Sequence, residues 1–453
     1  MQKINGNRLV DDAKFNRFHL SLVLLLMFLL ILDNFDGAVT SVTMPALMQD
    51  WGVTPVDFGI SASVGAVCAF IGSIVFGFLS DVIGRKPIMI ICVLLFTIGT
   101  GYVVFMPANF SLYIVRSGIT AMGIVGLIPA AIAIISEYAP LKRRNFLISL
   151  ICIGQSFGAI IASLVGSPLV ASGQWRMVYA VALIGFVLIP VVIFLIPESL
   201  SILWKKGKID KVRTAIAKVN REYVPQEGDE IEYKVAGQQK KSPYSILFSE
   251  GRRAGSILLF LAYFFTMTIV LLQSGFMPTY LVAAGYDMQV AVLGQTASAS
   301  GVIIAAVLFG WLADKLSFKT VFMIMYLIGA IGIFCIGLKP EGALLFICLI
   351  PVGLCAGGGT VLLNTFTSRY YPPQIVGTAV GLFGGLGRIP GFFVPIVLGL
   401  ILASNLSHQT DFTIFAFLPL LAMLCMLLIP LQHAYYKQVE ATKAKAVANT
   451  TDA

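Results

Sequence analysis

GFLSDVIGRK (77–86) and GWLADKLSFK (310–319) are one loop written twice, 233 positions apart. Gly77/Gly310, Leu79/Leu312, Asp81/Asp314 and Lys86/Lys319 coincide. The same offset, without a gap, sets Met44-Pro45 on Met277-Pro278, Gly52 on Gly285, and Gly126 on Gly359. It also pairs Tyr138 and Pro140 with Tyr371 and Pro373, and Gly154, Gly158 and Gly166 with Gly387, Gly391 and Gly399. A match sustained over this distance is a duplication, so the chain has two halves of one design.

Working outward from the loop, each copy is flanked by long apolar runs. Of 453 residues, 58% are hydrophobic and 12% charged, against ~45–50% and ~25% in soluble domains. A soluble or disordered chain is excluded, because too little polar surface exists to cover it. Runs of ~20 apolar residues are long enough to cross a bilayer, and twelve occur near 19–45, 57–79, 87–106, 110–136, 146–171, 175–196, 254–280, 290–313, 320–338, 342–368, 376–404 and 411–432. The first runs straight on into further spans and lacks a small-residue cleavage site, which makes it span 1 and not a signal peptide. The expected fold is an all-α polytopic membrane protein of twelve transmembrane helices in two pseudo-symmetric six-helix bundles. Its expected parts are a tail (1–18), an N-terminal bundle (19–196), a central loop (197–253), a C-terminal bundle (254–432) and a second tail (433–453).

The net charge of +9 is explained by where it sits. Lys3, Arg8, Lys14 and Arg17 in the first tail, Arg85, Lys86, Lys142, Arg143, Arg144, Lys315, Lys319 and Arg369 in the short loops, and Lys437, Lys443 and Lys445 in the last tail fall on one side. Only Arg176 and Lys339 fall on the other. By the positive-inside rule both termini and the central loop are cytoplasmic, in a cell inner membrane. The basic excess therefore implies a lipid bilayer and no nucleic acid. In the central loop, Leu200, Ile202, Trp204, Ile209, Val212, Ile216 and Val219 interleave with Lys205, Lys206, Lys208, Lys211, Arg213 and Lys218. Two readings stay open there: a basic amphipathic helix on the anionic leaflet, or a solvated linker.

Charges inside the membrane cost at least ~2.5–3.5 kcal/mol even on lenient scales, so they line a cavity or pair. Asp33 and Asp36 break the repeat, mapping onto Thr266 and Ile269, and Arg388 maps onto Gln155. On a helix, Asp33, Asp36, Gly37, Thr40 and Met44 share one face, expected to face a central cavity. Two carboxylates one turn apart repel each other, which favours holding a proton between them; Asp33 and Asp36 are the proton-coupling candidates, with Asp36 deeper in the span. Arg388 shares a face with Gly377, Gly381, Gly384, Gly391 and Pro395, and its planar fork suits a carboxylate. It binds an anionic substrate, pairs with Asp33 or Asp36, or alternates between the two. Arg116 lies a turn or two into span 4, where it either contacts substrate or snorkels to the interface. Gln155, Gln273, Asn364 and Tyr280 are further candidates for the substrate cavity, with packing as their ordinary alternative.

Other chemistry finds no support. The cysteines (Cys68, Cys92, Cys152, Cys335, Cys348, Cys355, Cys425) all lie in apolar runs, as packing residues do, so no metal site is expected. The histidines (His19, His408, His433) sit at span edges or in the tail, no phosphate loop of the Gly-x-x-x-x-Gly-Lys type occurs, and no filter motif marks a channel. Asn109-Phe110-Ser111 and Asn405-Leu406-Ser407 are sequons by coincidence, in very short loops.

The loop Gly77–Lys86 resembles the signature of the major facilitator superfamily, and its second copy and the twelve spans extend the resemblance over nearly the whole chain. It implies two bundles that rock about a midplane site, with Asp81, Arg85, Glu137 and Asp314 as gate residues. Within that superfamily the chain is similar to the aromatic acid:proton symporters in Asp33-Asn34-Phe35-Asp36 with Pro45 following, Ser136-Glu137-Tyr138-Ala139-Pro140 before Arg143-Arg144, Pro197-Glu198-Ser199-Leu200, and Gly387-Arg388. It departs from them at Asn34, where a glycine is usual, and at Thr120 and Met122, where glycines follow the span 4 arginine. The resemblance implies no enzyme activity, no cofactor beyond the proton gradient, and proton-coupled uptake of a small aromatic carboxylate by a functional monomer. The alternatives are a proton-coupled efflux antiporter, a symporter of another organic ion or sugar-like solute, and, more remotely, a transport-inactive sensor.

Overall fold

The computed structural model describes residues 3–220, 223, 230–232, 251–371, 375–404 and 406–434. Among them, twelve helices are long and apolar enough to cross a membrane. They are span 1 (Arg17–Trp51), span 2 (Pro55–Ser80), span 3 (Arg85–Val104), span 4 (Phe110–Tyr138), span 5 (Phe146–Ala171), span 6 (Arg176–Leu195), span 7 (Arg253–Ala283), span 8 (Met288–Ala305), span 9 (Phe318–Gly337), span 10 (Ala343–Tyr370), span 11 (Ala379–Ala403) and span 12 (His408–Leu428). Among the described residues the structure is all-α apart from one pair of three-residue parallel strands, Lys3–Asn5 with Glu230–Glu232. The tail lysines Lys437, Lys443 and Lys445 lie outside the described residues.

Two compact units form, one of residues 1–53 and 60–238, the other of 54–59 and 239–453. In the first, span 1 packs along span 5, and span 3 against spans 4 and 6. Span 5 approaches so closely because its glycines leave room: a Cβ at Gly158 would collide with the Ile31 carbonyl and lie 2.6 Å from the Phe35 nitrogen, and one at Gly154 would lie 2.9 Å from the Met27 carbonyl. In the second unit, span 9 packs against spans 10 and 12, the same relation that span 3 has to spans 4 and 6. The repeat read in the sequence is thus a repeat of packing.

Helix ends follow local chemistry. Gly52 and Gly285, a repeat pair, both close a helix in the left-handed region, at φ of 63° and 88°, where a side chain would clash with its own backbone. Asn109 caps span 4 by accepting from the Ser111 and Leu112 backbone N–H groups, and Ser407 caps span 12 through Thr410; both sequons therefore contain helix caps. Asn16 caps span 1, with His19 Nδ1 accepting in return from the Asn16 N–H.

Spans 3 and 6 each contain a short 3₁₀ turn, Tyr102–Val104 and Val181–Leu183, and spans 7, 10 and 11 deviate from regular helix in other ways. Span 7 widens into a π turn at Leu272–Phe276 before Pro278, whereas span 1 runs unbroken through Pro45. The repeat offset explains the contrast: β-branched Val42 stands in span 1 where Gly275 stands in span 7, and glycine gives way where proline removes a hydrogen bond. Span 10 has a similar turn at Leu354–Gly358, after Pro351. Span 11, expected as one helix over 376–404, is in pieces: Val376–Leu386, a 3₁₀ turn Ile389–Phe392, and Val394–Ala403. Gly387 and Pro390 account for the interruption, and the face expected to join Arg388 to both Gly381 and Pro395 does not persist across it.

The basic stretch after span 6 forms two short helices, Leu200–Lys205 and Ile209–Val219. Val212, Ala215, Ile216 and Val219 are buried in the same core as Leu26, Leu30, Met89 and Ile135. The basic amphipathic helix of the first reading is present, but its apolar face is covered by the protein core, because the bundle end offers a close apolar surface.

Candidate functional site

Three charged side chains within the spans of the first unit, Asp33, Asp36 and Arg116, lie where spans 1, 3, 4 and 6 meet. Asp33 and Asp36 are each only 1% exposed. They point into the unit and not onto an open face, since among their expected companions only Gly37 is exposed and Thr40 half-buried. Asp33 lies within electrostatic reach of Cys92 on span 3, and Asp36 within reach of Thr100 and Arg116. Asp33 Oδ1 and both Asp36 oxygens accept no hydrogen bond. An ionised carboxylate so placed is costly by several kcal/mol, and a proton or a cationic partner removes that cost.

Arg116 is the cation nearest in kind. It is 3% exposed and does not snorkel: its guanidinium carbon stands 4.1 Å from the Tyr113 ring centroid and 5.3 Å from that of Tyr179. Nη2 donates to Thr40 Oγ1 at 3.3 Å, while Nε has no partner. The two tyrosines are themselves fixed, Tyr113 and Tyr179 hydroxyls lying 3.1 Å apart and Tyr179 bonding Thr43 Oγ1 at 2.7 Å. Behind them Trp51, Trp175 and Tyr179 follow edge to face at 5.7 and 6.1 Å. Aromatic faces stabilise the desolvated cation by roughly 0.5–2 kcal/mol, which holds Arg116 in place yet leaves donors free. A guanidinium with open valences beside aromatic rings suits a planar carboxylate.

Sequence reasoning missed Tyr113, Tyr179 and Thr43. Tyr113 was available as the i−3 neighbour of Arg116 on one helix face; Tyr179, on span 6, gives no local signal.

In the second unit the candidates are dispersed. Arg388 lies in the break of span 11, between Leu386 and Ile389, is exposed, and forms no ion pair or side-chain hydrogen bond among the described residues. Nothing stands within 4 Å of a Cβ built at Gly381, Gly384 or Gly385, so space lies open over that helix. Asn364 is half-buried and accepts from Tyr263 Oη at 2.8 Å. Gln273 is 6% exposed, within the π turn of span 7. Gln155, in the first unit, is half-buried. Tyr280 departs from expectation: it is fully buried, donates its hydroxyl to the Leu398 carbonyl at 2.6 Å, and meets Phe415 edge to face at 5.0 Å. It is a packing residue, because the backbone and two rings already satisfy it.

At the other end of the first unit, Arg85 pairs with Glu137 at 2.5 Å. Glu137 also accepts from Ser199 and Ser201 hydroxyls, each at 2.7 Å. Glu198 accepts from the backbone N–H groups of Arg85 (2.9 Å), Lys86 (3.3 Å) and Ser199 (2.9 Å). Gly84, at φ of 130°, has no room for a side chain because Glu198 fills it. These bonds staple the span 2–3 loop to span 4 and to the chain leaving span 6, all within one unit. The side chains of Asp81 and Asp314, the other gate candidates, lie outside the described residues.

Residues 26–395 match the Major Facilitator Superfamily. The chain belongs to that superfamily, and it is a multi-pass membrane transporter, not an enzyme. Among curated proteins it is 28% identical over 434 residues to the benzoate transport protein of Acinetobacter baylyi, covering 94% of this chain and 93% of that one. It is 29% identical over 397 residues to a gallate transporter of Pseudomonas putida, with 87% and 88% covered, and 26% identical over 421 residues to a gentisate transporter of Corynebacterium glutamicum, with 92% and 89% covered. Among solved structures, a D-xylose-proton symporter superposes with a TM-score of 0.71 at 17% identity, covering 90% of this chain and 97% of that one; this likeness is one of fold.

Proposed function

We propose that this transporter carries a small aromatic carboxylate into the cell together with protons, by alternating access of its two units. The observation that carries the reading is Arg116: a buried guanidinium with an unpartnered Nε, set between two tyrosine faces and within reach of an unpaired buried carboxylate, Asp36. An aromatic acid meets each part, its carboxylate on the guanidinium and its ring against the tyrosines. Asp36, with Asp33 beside it, is the proton carrier: protonation relieves a buried charge, and the release of that proton restores it. Arg388 provides a second cation for the anionic substrate. The names of the relatives, carriers of benzoate, gallate and gentisate, support the substrate class. In this reading the monomer is the working unit and the proton gradient the energy source, and the lysine-rich loops support cytoplasmic termini in an inner-membrane protein.

The test is uptake of labelled benzoate, gallate, 4-hydroxybenzoate and gentisate into proteoliposomes under an imposed pH gradient, acid outside. The reading expects accumulation that collapses with a protonophore and is lost in Asp36→Asn and Arg116→Ala. Uptake indifferent to the gradient refutes proton symport; transport of sugars or cations alone refutes the carboxylate.

A further inference from the structure

The lysines at the loop end of the first unit surround a cavity of ≈ 500 Å³. Its lining carries Lys86, Lys206, Lys208, Lys211 and Lys218 together with apolar residues that include Phe18, Pro87 and Leu203. Five ammonium groups around such a volume repel one another, and the local acid does little to offset them: Glu198, the one carboxylate in the lining, already accepts from three backbone N–H groups. Asp210, on the same helix as Lys211, is not in the lining and is bound by Arg213 at 3.0 Å. Lys86 and Lys206 donate to the Ile193 and Ile83 carbonyls, whereas Lys208, Lys211 and Lys218 form no ion pair among the described residues.

We propose that this cavity binds the phosphate headgroup of an anionic phospholipid, with Lys208, Lys211 and Lys218 on the phosphates. A phosphate ester supplies the missing counter-charge. Two features select a lipid over a soluble phosphate. The lining includes Phe18, Pro87, Ile202 and Leu203, which suit the glycerol and first methylenes of a lipid. The lining also comes from the ends of spans, Phe18 at the start of span 1, Ile83 just before span 3, Lys86 and Pro87 in the first turn of span 3, and Pro197 after span 6, and the ends of apolar spans are where bilayer headgroups lie. Basic pockets between helix ends hold doubly phosphorylated headgroups in this manner. Because the apolar face of helix Ile209–Val219 is spent on the protein core, its lysines stay on the cavity side.

The experiment uses the purified full chain, delipidated in neutral detergent, with diphosphatidylglycerol or inorganic pyrophosphate as probe and native mass spectrometry and calorimetry as readouts. The delipidated parent chain binds one added diphosphatidylglycerol. Each lysine near anionic lipid contributes roughly five-fold to binding, so Lys208→Gln/Lys211→Gln/Lys218→Gln weakens it on the order of 100-fold. The charge-matched Lys142→Gln/Lys205→Gln/Arg253→Gln, outside the cavity, leaves it unchanged. Equal loss in both triples, or none in the first, overturns the proposal; pyrophosphate binding without lipid binding assigns the cavity to soluble phosphates and overturns the lipid assignment. Should the first triple not fold, Thr214→Glu, an exposed lining position, adds one negative charge to the cavity and must weaken lipid binding about five-fold.

Discussion

Gly158→Ala, compared with Gly37→Ala, measures how far the proton-coupling turn depends on contact with span 5. Both substitutions add one methyl group inside a helix, and both gain ~1 kcal/mol of helix propensity. At Gly37 the methyl group meets nothing within 4 Å. At Gly158 it collides with the Ile31 carbonyl and sits 2.6 Å from the Phe35 nitrogen, about 0.8 Å inside the closest ordinary contact of ~3.4 Å, and both neighbours are backbone that cannot rotate away. Relief requires spans 1 and 5 to part by about 1 Å, an overpacking cost of ~1–3 kcal/mol. The propensity gain cancels between the two variants, so this cost is their expected difference. For a unit of some 200 residues, at ~2–4 °C per kcal/mol, Gly158→Ala melts about 2–12 °C below Gly37→Ala in a detergent unfolding assay. The shift also falls on Phe35, between Asp33 and Asp36, and displacing a reacting group by ~1 Å costs on the order of 100-fold in rate, read as initial uptake in proteoliposomes. Equal melting points, with parental uptake by Gly158→Ala, would refute the claim that span 5 sets the position of the carboxylates.

Other outcomes are expected on the same grounds. Asp36→Asn stays folded, because a neutral amide replaces a carboxyl that accepts no hydrogen bond, yet loses accumulation driven by the pH gradient while retaining counterflow of substrate; loss of both would remove Asp36 from the coupling role. Arg116→Lys keeps the charge but not the planar fork or the stacking on Tyr113, so the KM for an aromatic acid rises by roughly 10–100-fold, with little change for Arg116→Lys in melting temperature; an unchanged KM would move the carboxylate to Arg388. Glu137→Gln breaks the pair with Arg85 and weakens two serine bonds, costing about 1.5–3 kcal/mol in thermal unfolding, whereas Asp210→Asn, at the exposed pair with Arg213, costs at most ~0.5 kcal/mol.

The twelve spans were legible because lipid imposes length and apolarity on every crossing, and the doubled loop made the six-plus-six division readable without any structure. Helix interiors were harder. Pro45 and Pro278 are the same letter at repeat-related places, and only the neighbour, Val42 or Gly275, decides whether the helix widens. For the site, charge inside the membrane singled out Asp33, Asp36, Arg116 and Arg388. Their surroundings were not legible: Tyr179 reaches Arg116 from another span, and Tyr280 has the composition of a ligand contact but the hydrogen bonds of a strut. Glu198 was visible as a motif letter, while its work, accepting from three N–H groups of a distant loop, depends on the chain returning from span 6.

That return has a mechanical meaning. Glu198 and Glu137 bind the exit of span 6 to the span 2–3 loop, Asn16 Nδ2 donates to the Val219 carbonyl at 2.8 Å, and Glu230–Glu232 pairs with Lys3–Asn5. The connector is thus moored at three successive points before it leaves for the second half, like a cable clamped along its casing. Tension on its far portion is taken up at the clamps and not by span 6. A chain severed just beyond Gln238 would keep every mooring on one fragment, so the two halves could be made as separate polypeptides without loosening the first.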